Sequence, residues 1–117
     1  MRILVADDSL INQKVMQQIF QDLNHDTKIV SNGLEVLDAM EQQPYDLVIL
    51  DLFMPEMDGV ETARTLRVRE VKVPLIGLTA SHNLEDKEAG LKAGMNEVMY
   101  KPFTTSEIEA VLNKYLG

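Results

Sequence analysis

The stretch Leu47–Gly59, "LVILDLFMPEMDG", decides the fold. Its first four residues are all apolar, so neither face of the pleat they would form is suited to water. Such a strand must be covered on both sides, which points to a parallel sheet clad in helices. Asp51 closes the run, and Pro55 and Gly59 then mark a loop before the next helical pattern.

Working outward, four further strand-like runs flank this one: Ile3–Ala6, Thr27–Val30, Leu75–Leu78 and Glu97–Tyr100. Helical periodicity fills the gaps. Ile11, Val15, Met16, Ile19, Phe20 and Leu23 step at three and four residues, a stripe expected to face a core. Leu34, Leu37 and Met40 repeat the pattern, as do Ile108, Val111, Leu112 and Tyr115, with weaker faces at Val60–Leu66 and Leu84–Leu91. Asn32-x-x-Glu35 and Thr104-x-x-Glu107 have the spacing of reciprocal helix caps. Because crossovers between parallel strands are right-handed, five such units predict an α/β fold: a three-layer sandwich around a five-stranded parallel sheet. All of residues 1–117 are expected to form one domain.

In open sheets of this kind the site lies at the carboxyl ends of the strands. Four of the five strands end in a residue suited to one chemistry. The first closes on Asp7 and Asp8, the third on Asp51, the fourth on Thr79, and the fifth leads into Lys101. Two adjacent carboxylates about 4 Å apart repel by about 4 kcal/mol at an effective dielectric near 20, so a partner of opposite charge is expected. Three carboxylates suit a hard divalent cation, with magnesium the natural choice for oxygen ligands that retain water. The remaining hydroxyl and ammonium are what is needed to hold phosphoryl oxygens while Asp51 attacks phosphorus.

Composition narrows the function classes. Eleven Lys and Arg against nineteen Asp and Glu give a net charge of −8, which argues against binding a nucleic acid or an anionic membrane through this domain. The chain has no Cys, so disulfides, thiolate catalysis and Cys-bound metal are excluded, and a reducing cytoplasm is the expected setting. No apolar run approaches the ~20 residues of a membrane span.

The segments "LVADDS", "DLVILDLFMPEMDG", "LTA" and "KPF", in this order and at these spacings, resemble the response-regulator receiver domain of two-component signalling. "DDSLINQKV" and "AGMNEVMYKPF" are most similar to receivers of hybrid sensor histidine kinases. The resemblance implies a flavodoxin-like strand order, 2-1-3-4-5. It implies that Asp51 accepts a phosphoryl group from phosphohistidine on a histidine kinase or histidine phosphotransfer protein. Magnesium would be held by Asp8, by Asp7 directly or through water, by Asp51 and by the backbone carbonyl of Phe53. Thr79 would meet a phosphoryl oxygen, Lys101 would pair with the acceptor, and Pro102 would follow a cis bond. Any catalysis would extend no further than the domain's own phosphorylation and dephosphorylation. Relatives commonly form homodimers through the fourth helix, fifth strand and fifth helix.

Two departures stand out. The family's aromatic switch residue lies three positions before the lysine, where this chain has Val98, while Tyr100 adjoins Lys101. Phe53 places an apolar side chain two residues past Asp51, where many receivers are polar. Two other functions compete. An aspartyl-phosphate phosphohydrolase would want a second carboxylate at position 53 as general acid, and a docking module would keep the pocket without being phosphorylated. Plainer roles are expected elsewhere: Glu56 and Asp58 as loop or cap residues, His25 and His82 as surface residues, and the Met residues as core fill, with Met54, Met57 and Met99 also available to a partner surface.

Overall fold

The computed structural model describes residues 1–117. Strands and helices alternate throughout: β1 (Arg2–Ala6), α1 (Leu10–Asp22), β2 (Asp26–Val30), α2 (Gly33–Gln42), β3 (Leu47–Asp51), α3 (Gly59–Val68), β4 (Leu75–Thr79), α4 (Leu84–Lys92), β5 (Glu97–Tyr100) and α5 (Thr105–Leu116). The five strands form one sheet in the order β2-β1-β3-β4-β5, every neighbouring pair parallel. This is the predicted flavodoxin-like three-layer sandwich, with each run extended by at most one residue at an end.

Alternation along the strands sorts the core into two layers. Ile3, Val5, Leu47, Ile49, Ile76, Leu78 and Met99 project to one face, where Met16, Ile19 and Phe20 of α1 and Ile108, Val111 and Leu112 of α5 cover them. Leu4, Ala6, Val48, Leu50, Leu75 and Val98 project to the other, beneath Val36, Leu37 and Ala39 of α2 and Ala63 and Leu66 of α3. All five residues of β3 and all five of β4 are buried, as the unbroken apolar run "LVIL" required. No helix is long and apolar enough to cross a membrane.

Several sequence expectations are corrected. Ile11 and Val15 were counted in the buried stripe of α1, yet they are 77% and 45% exposed, and Leu34 of α2 is 49% exposed. The thirteen residues of α1 make a helix about 20 Å long. Ile11 stands in its first turn and Val15 in its second, and the buried residues of the helix, Met16, Ile19 and Phe20, all lie further on. Met57 and Met99 are core residues at 9% and 7% exposure, which removes them from any partner surface, and Met54 packs partly against the core. Thr104 and Glu107 form the full reciprocal cap. At α2 the exchange is incomplete: Asn32 Oδ1 accepts from the Glu35 amide at 2.9 Å, but the Glu35 carboxylate reaches one residue further back, accepting from Ser31 N at 2.7 Å.

Candidate functional site

Parallel pairing places every strand's carboxyl end on one rim, and the site is built there. Beyond β1, the Asp7 amide still donates to Val30 O at 3.1 Å, which extends the ladder one residue and draws the Asp7 side chain out of solvent. Its Oδ1 accepts from Ser9 N at 2.9 Å. Its carbonyl accepts from Gln13 Nε2, 2.6 Å away on the second turn of α1. Asp8, the next residue, points to solvent. Asp51 ends β3 at 5% exposure; its Oδ1 accepts from the Phe53 amide at 3.1 Å. The start of α3 presses on this point, since a Cβ on Gly59 would collide with the Asp51 carbonyl.

Lys101 joins the two buried acids. Its Nζ donates to Asp51 Oδ2 at 2.8 Å and lies 2.9 Å from Asp7 Oδ2. The backbone is fixed behind it by the bond from Lys101 N to Thr79 O at 2.8 Å, and the Lys101–Pro102 peptide is cis. One carboxylate oxygen from each of Asp7, Asp8 and Asp51 lies within 4.8 Å of the others. That span is close to the roughly 4.2 Å across an octahedral magnesium with ligands at about 2.1 Å. Two buried carboxylates and one exposed one therefore suit a hard divalent cation, with the solvent side of Asp8 left for water.

The electrostatics are uneven. Burial pushes the Asp51 carboxyl above its ordinary range, and Asp7 adds to the rise, although Lys101 and the Phe53 amide work against it. Burial alone would pull Lys101 down, but its hydrogen bond to Asp51 and the nearby charges of Asp51 and Asp7 outweigh this and hold its ammonium above the usual lysine value. Without a metal, then, the amine is the countercharge for both buried acids.

Thr79 is fully buried at the end of β4, one position past Leu78, which pairs with Asp51. Its Oγ1 accepts from Ser81 N at 3.0 Å. Asp7, Asp8, Asp51 and Lys101 are thus gathered directly, and Thr79 stands at the adjoining strand end. The Phe53 side chain is 55% exposed beside them. Asp58 is a helix cap, its Oδ1 accepting from Glu61 N at 2.8 Å, and Glu56 is an exposed loop residue at φ +66°.

Sequence reasoning missed Gln13 and Ser81, which position Asp7 and Thr79 through backbone groups. Only the second contact left a local sign, in Thr79 itself, whose hydroxyl can accept from the backbone N–H two residues on. Tyr100, singled out in the sequence beside Lys101, has a partner that the sequence did not show: its ring stacks on that of His82 with centroids 4.8 Å apart and planes 19° from parallel. His25 sits before β2 at the opposite, amino edge of the sheet, half-buried.

A family profile described as the response regulator receiver domain matches residues 3–113. The chain is 36% identical over 112 residues to the sensor protein EvgS of Escherichia coli (strain K12), covering 96% of this chain and 9% of that protein. It is 33% identical over 112 residues to two-component response regulator 24 of Arabidopsis thaliana, covering 95% of this chain and 81% of the relative. Among solved structures, the receiver domain of sensor histidine kinase PA1611 from Pseudomonas aeruginosa PAO1 superposes with a TM-score of 0.93 at 33% identity, covering 99% and 97% of the two chains. In that structure a magnesium ion is coordinated in the active-site cleft.

Proposed function

This chain belongs to the response regulator receiver domain family of two-component signalling, and from that premise we propose that it is a phosphoacceptor switch carrying the phosphoryl group on Asp51. The observation that carries the reading is the Lys101 amine, 2.8 Å from Asp51 and 2.9 Å from Asp7, with the Asp8 carboxylate completing an acidic triad around the same point. A lysine drawn from position 101 to acids at 7 and 51 is costly to assemble unless the cluster has a task.

In the proposed reaction an Asp51 carboxylate oxygen forms a bond to phosphorus while the phosphorus–nitrogen bond of a phosphohistidine breaks. The imidazole nitrogen keeps the electron pair. Magnesium, held by Asp7, Asp8, Asp51 and the Phe53 carbonyl, would supply positive charge against that developing on the phosphoryl oxygens. The magnesium ion of the PA1611 receiver supports this assignment. Lys101 keeps one phosphoryl oxygen close to Asp51 by exchanging its present carboxylate contact for it, and the Thr79 hydroxyl donates to another. The hydrolase reading loses ground, because Phe53 offers no general acid.

The donor is a histidine kinase or histidine phosphotransfer protein. The exposed Leu10, Ile11 and Val15 of α1, beside the acidic rim, favour a protein partner. The chain spans 9% of EvgS but 81% of the plant regulator, so relatives carry this domain both as a small part of long sensor proteins and as most of a short regulator, and on this reading it acts in the cytoplasm beside its donor. Incubation with magnesium and a small acyl phosphate, followed by mass measurement, tests the reading. One phosphoryl group is expected on the native chain and none on Asp51→Asn. An unmodified native chain would leave the docking-module alternative in its place.

A further inference from the structure

β2 leaves the sheet before the ladder along β1 is complete. Asp7 N still donates to Val30 O, so the next bond of a parallel ladder would bring the amide of Asn32 to the Asp7 carbonyl. Asn32 instead caps α2, its side chain accepting from Glu35 N. The missing donor comes from α1. Gln13 Nε2 reaches Asp7 O at 2.6 Å and Ser31 Oγ, just past the end of β2, at 3.2 Å. A carbonyl only accepts, so it is the amide nitrogen of Gln13 and not its oxygen that faces Asp7. One side chain thus bridges the ends of two strands.

The same residue holds the chain beyond Asp8. Gln13 N donates to Ser9 O at 2.9 Å, and Ser9 N is fastened to Asp7 Oδ1 at 2.9 Å. Asp8 is therefore bracketed: the carbonyl before it is held by the Gln13 side chain, the carbonyl after it by the Gln13 main chain. Its own carboxylate is exposed, so its place within the 4.8 Å span shared with Asp7 and Asp51 is set by that backbone. These contacts of Gln13 are with main-chain groups and a hydroxyl, and it acts on the acids through them.

We propose that Gln13 is a positioning residue that sets the ion preference of the Asp7, Asp8 and Asp51 triad. This rests on the metal assignment within the phosphoacceptor reading. Magnesium demands near-ideal octahedral geometry with ligands at about 2.0–2.1 Å, whereas calcium accepts longer and more varied distances of about 2.3–2.6 Å. A fixed Asp7–Asp8 peptide keeps the Asp8 carboxylate at one distance from the two buried acids, which suits the smaller and stricter ion. Without the Gln13 amide that peptide is free to tilt, and Asp8 moves with it. The site then keeps three carboxylates and their charge but loses the geometry that tells the ions apart. Removing a group that orients a metal ligand from behind typically costs about 10–100-fold in affinity. Here that cost falls on magnesium more than on calcium.

Gln13→Met keeps the length and helix preference of the side chain and removes both donors. The metal-free native chain, Gln13→Met and Ser31→Ala are each titrated in a calorimeter with magnesium chloride and, separately, with calcium chloride at fixed ionic strength. In Gln13→Met the magnesium affinity should fall about tenfold or more and the calcium affinity by less, so the ratio of the two drops. Ser31→Ala removes only the second acceptor of the bridge and should lower the ratio by a smaller factor. Equal losses for both ions in Gln13→Met, or no loss, overturn the proposal, because a merely structural role weakens every ion alike. An unchanged ratio in Ser31→Ala does the same, and it decides the matter if Gln13→Met does not fold. A native chain that takes up no magnesium overturns the metal assignment itself, and the role of Gln13 with it.

Discussion

Asp51 is held where its charged form is disfavoured. Burial raises its carboxyl above the ordinary value of 3.8 despite the Lys101 contact. The folded chain therefore binds a proton at Asp51 more readily than the unfolded chain does, and stability on this account falls as pH rises from 3.8 through the raised value. At neutral pH the full cost of the buried charge is present, and Lys101 retains Asp7 as a partner if Asp51 is neutralised. Asp51→Asn should accordingly stabilise the metal-free chain, read as a higher melting temperature in chelator at pH 7. A lower melting temperature would mean that the ammonium–carboxylate contact outweighs burial. The acids themselves were legible in the sequence because strand ends are marked by where apolar runs stop. Their individual burial was not. Asp7 and Asp8 are adjacent and chemically identical, and only the extra ladder bond from Asp7 N to Val30 O settles which of them turns inward.

Every strand and helix was legible in the sequence, α4 included, but the way that elements held by small or polar groups dock was not. The sequence shows α4 as a weak helix face because it has no broad apolar stripe; among its residues only Gly90 is buried. It docks by close approach instead, with Gly90 set against Met95 and Val98 in a gap where a Cβ would already be 2.9 Å from the Met95 sulfur. Periodicity counts large side chains, so contacts made by missing ones escape it. Arg67, at the end of α3, is a similar case. Its Nε donates to Gly94 O at 3.0 Å, one terminal nitrogen donates to Val71 O at 2.8 Å and Val73 O at 2.9 Å, and the other donates to Asn96 Oδ1 at 3.0 Å. Asn96 Oδ1 also accepts from Leu75 N at 2.9 Å, so one guanidinium fastens both the entry to β4 and the entry to β5. Arg67→Ala leaves four oxygens short of a donor and should cost about 1–3 kcal/mol, seen as a lower urea midpoint at unchanged slope. Arg67→Lys should recover little of this, because an ammonium is a compact point charge and cannot reproduce the planar fork. Equal midpoints for the lysine variant and the native chain would reduce Arg67 to a simple charge contact.

At the scale of the whole molecule the net charge of −8 and the acidic rim act together. Self-repulsion of the excess carboxylates favours expansion of the chain, and any salt relieves it by screening. A divalent ion held between Asp7, Asp8 and Asp51 adds something screening cannot, because that arrangement exists only when β1 and β3 are paired and their ends aligned. A ligand bound only by the folded state stabilises it by about 2.7 kcal/mol at 100 times its Kd. For a domain of this size, with about 3–5 °C of melting temperature per kcal/mol, magnesium near saturation should raise the midpoint by about 10 °C. Potassium chloride at matched ionic strength should give a smaller rise, without saturation. The exposed Asp8 discriminates between the two effects. Asp8→Asn removes a single surface charge, so it should leave the response to potassium chloride nearly as it was, while the magnesium-specific increment should largely vanish with one of three carboxylate ligands gone. Should the variant keep the full increment, the ion is not held by this triad, and the stabilisation belongs to general screening of an acidic surface.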